Sequence, residues 1–257
     1  MNVKAKKHLG QHFLTDENIA KKIVEGLDFQ PYHYVLEVGP GTGVLTKYLL
    51  EKPTETYVAE IDTESIEYLK IHYQKLENKH FTGDFLKINL SDIFSGEVAV
   101  IGNFPYNISS QILFKIIENY QQIPEMVGMF QKEVAERTAA VPRTKDYGIL
   151  SVLVQAYYDV KYLFTVHENV FNPPPKVKSG VIKLTRNRKE GLEGYEILFK
   201  QIVKTGFGQR RKKLSNALKS LDIPEVLKSH AFMDKRAEEL SVEDFINFTK
   251  EWKAAKN

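Results

Sequence analysis

A chain of 257 residues that is 42% hydrophobic is long enough for one medium domain, or one medium domain with a small appendage, around a full core. It holds no cysteine, which excludes disulfides, thiolate zinc sites and a cysteine nucleophile and suits a reducing cytosol. No apolar run approaches the roughly 18 residues of a membrane span, and the N-terminus is basic rather than a signal peptide, so a soluble cytoplasmic protein is expected; a net charge of +3 is too mild to mark a nucleic-acid binder by itself.

Residues 16–27 are predicted to be helical, because Ile19, Ile23 and Leu27 recur at helical spacing, Thr15 can cap, and Asp16 and Glu17 sit in the first turn. The period then changes. Tyr34 to Val38 is a short apolar run ending at glycines, and 56–59 and 98–101 repeat it, with helix-like stretches at 43–51, 63–75 and 108–118 between and after them. Strands of this kind alternating with helices imply an α/β protein with a mainly parallel sheet covered on both faces. A further strand is expected at 126–130, then helices at 132–139 and 147–156, and a closing antiparallel pair at 157–166 and 180–187. F-N-P-P-P-K between that pair forbids regular structure and fits either an extended functional loop or a rigid connector. The charged, glycine-bearing stretch R-K-E-G-L-E-G (188–194) marks the expected boundary between a first domain, 1–188, and a small helical domain, 189–257.

E-V-G-P-G-T-G (37–43) joins the first of these apolar strands to a helix, with Gly39 and Gly41 free of a Cβ where a ligand must approach. Glu60 ends the next strand about 20 residues on, where an acid binds ribose hydroxyls. Such a loop serves NAD and S-adenosylmethionine alike. The spacing G-x-G-x-G departs from the dinucleotide pattern G-x-G-x-x-G, and Asp84 in T-G-D-F is placed to take an adenine amine, which favours S-adenosyl-L-methionine. An unliganded structural turn is the competing interpretation.

I-G-N-F-P-Y (101–106) follows the expected strand at 98–101 and so lies at the carboxyl edge of the sheet. The side-chain oxygen of Asn103 and the carbonyl of Phe104 can hold the two hydrogens of an adenine amine and turn its nitrogen toward a methyl donor, so that positioning replaces a strong base. Pro105 stiffens this backbone, Tyr106 stacks on a flipped or single-stranded base, and Phe171 is a candidate second aromatic wall. A capped turn at Asn103 and core packing of Phe171 are the structural alternatives. Three basic clusters, Lys4/Lys6/Lys7/His8, Lys183/Arg186/Arg188/Lys189 and Arg210/Arg211/Lys212/Lys213, suggest a polyanionic partner when taken together, although each alone fits a solvated face. No metal is implied.

The ordered set L-G-Q-H-F-L (9–14), E-V-G-P-G-T-G, A-E-I-D (59–62), G-D-F-L (83–86), G-N-F-P-Y-N-I-S (102–109), Q-K-E-V-A-E-R (131–137), F-N-P-P-P-K-V-K-S (171–179) and F-G-Q-R-R-K-K-L-S-N-A-L (207–218) resembles the KsgA/RsmA family of small-subunit ribosomal RNA adenine dimethyltransferases over nearly the whole chain. The resemblance implies a Rossmann-like methyltransferase domain with a helical C-terminal domain. It also implies dimethylation at N6 of two adjacent adenines near the 3′ end of 16S rRNA, late in small-subunit assembly. Carried onto this chain, the cofactor contacts are His12, Leu14, Gly39, Glu60, Asp84 and Asn103, and the base contacts Asn103, Phe104, Tyr106 and Phe171. Phenylalanine at 104 and histidine at 12 depart from the family's more frequent leucine and asparagine. Three rivals stand beside this assignment: a large-subunit resistance methylase of the Erm group, an RNA-binding assembly factor without chemistry, and an NAD-dependent oxidoreductase. A monomer is expected, for want of any assembly motif.

Overall fold

In the computed structural model, which describes residues 3–256, the elements run in chain order. They are β1 (Phe13–Leu14), α1 (Glu17–Val24), β2 (Tyr34–Val38), α2 (Thr46–Leu49), β3 (Glu55–Ala59), α3 (Thr63–His72), α4 (Leu90–Ile93), β4 (Val98–Asn103), α5 (Ser109–Glu118) and β5 (Glu125–Gln131). After these come α6 (Lys132–Ala139), α7 (Ile149–Gln155), β6 (Tyr158–Val166), β7 (Phe171–Asn172), β8 (Ser179–Arg186), α8 (Glu196–Gly208), α9 (Leu214–Ala217) and α10 (Val242–Ala254). They form two compact units.

The first unit contains the residues up to Glu136 and Asp159–Arg186. Its six-stranded sheet has the order β3-β2-β4-β5-β8-β6, with β3, β2, β4 and β5 parallel and β8 antiparallel to β5. The central strands are apolar and buried almost throughout, as a sheet covered on both faces requires. Their register brings Val38, Ala59 and Asn103 to one carboxyl edge. Helix α1 is capped by Asp16, whose carboxylate accepts the N–H groups of Asn18 and Ile19 at 2.9 and 3.0 Å. Thr15, expected as the cap, instead gives both its N–H and its hydroxyl to the Val170 carbonyl, at 2.8 and 2.9 Å.

The second unit contains Arg137–Tyr158 and the chain from Asn187 onward. The segment 137–158, expected in the first domain, belongs here: α7 packs against α8, and the Tyr147 hydroxyl donates to the Leu240 carbonyl at 2.9 Å. A helix as apolar as I-L-S-V-L-V-Q announces burial without saying in which core. Phe207, Phe245, Phe248 and Trp252 fill this core, and a capping box between Ser241 and Asp244 starts α10.

One detail of the sheet bears directly on the site. Gly102 and Gly128 stand opposite each other on β4 and β5, and the Phe104 ring fills the notch they leave, 4.8 Å from the Phe130 ring. A Cβ at Gly128 would lie 2.1 Å from the Phe104 ring, and one at Gly102 would lie 2.9 Å from it. Gly128→Ala is therefore expected to cost about 1–3 kcal/mol by overpacking, read as a lower urea midpoint, and adding Phe104→Leu should restore most of the loss.

Candidate active site

The sequence sets the cleft at the carboxyl edge by ending β2 in a glycine loop. Gly39, Gly41 and Gly43 all take positive φ, +69°, +54° and +83°. Size matters at two of them: a Cβ at Gly41 would meet the Phe13 ring at 2.7 Å, and one at Gly43 the Tyr73 ring at 2.5 Å. At Gly39 the nearest atoms are 3.9 Å away, and at Gly83, φ +84°, nothing lies within 4 Å, so the backbone at both is open to a close-lying ligand. Gly39, Gly41 and Gly83 line a cleft of about 730 Å³, counting its open mouth.

Glu60, buried just past β3, receives three backbone N–H groups: those of Ile61 and Asp62 at 2.9 Å and that of Gly41 at 3.2 Å. Burial raises its carboxyl above the usual range, while those amides pull the other way. Asp84 lines the same cleft, its Oδ1 accepting the Leu86 N–H at 3.0 Å. Ile61, 55% exposed, and Phe85 add apolar wall that sequence reasoning did not single out.

Residues Leu9 to Phe13 form another wall. The Asn103 Nδ2 donates to the His12 carbonyl at 2.8 Å. Because a carbonyl only accepts, the amide nitrogen must face His12, which fixes the position of Asn103 Oδ1, for which no protein donor is present among the described residues. The Tyr106 hydroxyl is held by Ser179 Oγ at 2.5 Å, and the His12 ring stacks on Tyr106 with centroids 5.5 Å apart. His12 Nδ1 lies 2.8 Å from the Pro173 carbonyl and so carries the proton.

Two expected residues sit elsewhere. Leu14 and Phe171 are 3% and 4% exposed, pack in the core and do not line the cleft. The two-residue ladder of β1 and β7 explains this: Leu14 pairs directly with Phe171 on the core face, so Phe13, on the opposite face, meets the glycine loop. The aromatic partner of Tyr106 is accordingly His12 rather than Phe171. Phe104 lines the cleft, yet its ring is 1% exposed and lies in the glycine notch.

A model of the ribosomal RNA adenine dimethylases matches residues 2–254. The chain belongs to this family. It is thus an enzyme that methylates adenine in ribosomal RNA, and the oxidoreductase alternative is overturned. The chain is 58% identical over 253 residues to the ribosomal RNA small subunit methyltransferase A of Flavobacterium johnsoniae, covering 98% of this chain and 97% of that one. It is 57% identical to its namesake of Cytophaga hutchinsonii, with 96% of each covered. Among solved structures it is similar to a dimethyladenosine transferase from Plasmodium falciparum (TM-score 0.83, 26% identity, 95% and 98% covered). It is also similar to the 23S rRNA methyltransferase ErmE (TM-score 0.68, 25% identity, 94% and 99% covered).

In this dimethylase much of the basic charge is already engaged. Lys6 pairs with Asp62, Lys183 with Glu125 and Asp28, Arg186 with Glu97, and Arg188 with Glu243. Within the helical unit, Arg210 binds Glu238 at 2.5 Å and the carbonyls of Lys145 and Thr144 at 2.8 and 3.0 Å, while Lys213 pairs with Asp234 at 2.9 Å. Arg211 and Lys212 are exposed, with no acidic partner among the described residues.

Beneath the glycine loop lies a group that sequence reasoning passed over. Glu37 is 1% exposed, accepts the Thr46 hydroxyl at 2.5 Å, and burial pushes its carboxyl up to about 8. The folded protein keeps this proton from the ordinary 4.5 up to about pH 8, whereas the unfolded chain loses it, so stability falls as pH rises through that window. Glu37→Gln, which keeps the acceptor and removes the charge, is expected to raise the melting temperature over the parent more at about pH 9 than at about pH 6 in thermal scans.

Proposed function

We propose that this dimethylase transfers methyl groups from S-adenosyl-L-methionine to N6 of two adjacent adenines near the 3′ end of 16S rRNA, acting as a monomer in the cytoplasm on the assembling small subunit. The observation that carries the reading is the oriented Asn103 amide, beside a cleft whose glycines and acids suit an adenosyl ligand. The names of the two bacterial relatives support the small-subunit substrate.

Glu60 would take the ribose hydroxyls, Asp84 the adenine amine, and the open backbone at Gly39, with Gly41 beside it, the amino-acid end, with His12 and Asn103 closing the wall. Bound there, the sulfonium supplies an electrophilic methyl. Asn103 Oδ1 and the Phe104 carbonyl would accept hydrogen bonds from the target amine, aiming its lone pair along the line of attack and steadying the charge that grows on nitrogen as the N–C bond forms and the S–CH3 bond breaks. The neutral thioether is the leaving group, and the surplus proton on N6 passes to solvent. Pro105 holds that carbonyl in place, and Tyr106 repays stacking lost by an unstacked base. Leu14 and Phe171 serve by clamping β1 to β7 from behind. Arg211 and Lys212 supply free positive charge for RNA phosphates, while Arg210 holds the helical unit together.

Immature small subunits lacking the modification, incubated with protein and labelled cofactor, should yield N6,N6-dimethyladenosine at two adjacent positions by nucleoside mass spectrometry. Product confined to large-subunit RNA would establish the resistance-methylase alternative instead, and cofactor binding without product would leave an assembly factor. In the same assay Asn103→Ala should lower turnover about 100-fold or more while cofactor affinity stays within about fivefold; unchanged turnover would refute the amine-gripping role. Replacing Arg211 and Lys212 by glutamine should lower the salt-dependence slope of subunit binding by about 1–2 without altering the melting temperature, whereas Arg210→Ala should lower the melting temperature.

A further inference from the structure

The segment that walls the cleft is tied down away from the cleft itself. Asp62, whose side chain is fully buried, accepts Lys6 Nζ on Oδ1 and Gln11 Nε2 on Oδ2 at 3.1 Å. Lys6 also reaches Glu64 at 3.2 Å, and its backbone N–H donates to Gln11 Oε1 at 2.8 Å, so the two strap residues are bonded to each other as well as to Asp62. On the other side, the Asp62 N–H donates to Glu60 Oε1 at 2.9 Å. One acid thus links the strap to the residue assigned to the ribose. Burial alone would raise the Asp62 carboxyl, yet the hydrogen bonds from Lys6, Gln11 and the Glu64 N–H hold it below its usual range.

We infer that Asp62 and Lys6 form a latch that positions the strap, residues 6–13, against bound S-adenosylmethionine, so that the pair governs cofactor retention without touching the cofactor. The inference rests on the reading of the cleft as the cofactor site. Opening the latch leaves a buried carboxylate without its cation, and the wall formed by Leu9 to Phe13 loses its anchor on the side of β3.

The test uses the full chain with Lys6→Met, Asp62→Asn and the double variant, by equilibrium dialysis against labelled S-adenosylmethionine. Asparagine can still cap α3 through the Glu64 N–H, and Lys6→Met leaves that cap untouched. Each single variant is expected to weaken binding about tenfold, and the double variant no further, with kcat at saturating cofactor as in the parent. Lys6→Met, which strands the buried carboxylate, lowers the melting temperature, and the double variant, which strands no charge, regains it without regaining affinity. Tryptic cleavage after Lys7 should be suppressed by the cofactor in the parent and much less in the variants. Parent-like affinity in Lys6→Met, additive losses in the double variant, or affinity falling only in step with melting temperature would overturn the latch. A parent that binds no S-adenosylmethionine would overturn the reading of the cleft, and the latch with it.

Discussion

The geometry of this site hangs on the carbonyl of His12, which can only accept a hydrogen bond. By drawing the Asn103 nitrogen toward itself it fixes the amide that stands at the end of β4. The same carbonyl belongs to a segment held at one end by the short β1–β7 ladder and at the other by Asp62. A side chain at a sheet edge, an N-terminal strap and a proline-rich loop far along the chain are thereby made mutually dependent. None of the three would be rigid alone: β1 and β7 are two residues each, below what an isolated ladder sustains.

What the sequence discloses and what it hides follow from the range of the interactions involved. The strands at Tyr34–Val38 and Val98–Asn103 and the loop between Val38 and Thr46 are written in local apolar runs and glycines, so their place at the carboxyl edge could be read directly. Phe171 and Leu14 could not: the side to which each points depends on pairing with the other, 157 positions away by their numbers. Thr15 and Asp16 are equally good caps on composition, and only the distant Val170 carbonyl decides between them. The helix at Ile149–Gln155 was legible, but the unit it joins was not, since a segment this apolar fits any core.

Charge is the property most easily over-read. The basic clusters suggest a surface devoted to polyanions, yet Lys6, Lys183, Arg186 and Arg210 are engaged by carboxylates or carbonyls of their own unit. Arginine suits this use because its planar fork can serve several acceptors at once, as Arg210 does with Glu238, Thr144 and Lys145. What remains for an external partner is a smaller set, and a run of four cations contains both kinds of residue side by side.

The stack of His12 on Tyr106 has a geometric consequence of its own. A phenol ring ordinarily offers two equivalent faces to a planar guest, but here the His12 ring lies offset against one of them and the hydroxyl is anchored through Ser179. The His12 ring competes with a guest for that face and not for the other. One side of approach relative to the sheet is therefore favoured, so the mirror-related pose is disfavoured before any base edge is read. The site thus acquires a handedness from a stacking pair inside the protein, at no cost in additional contacts to the guest.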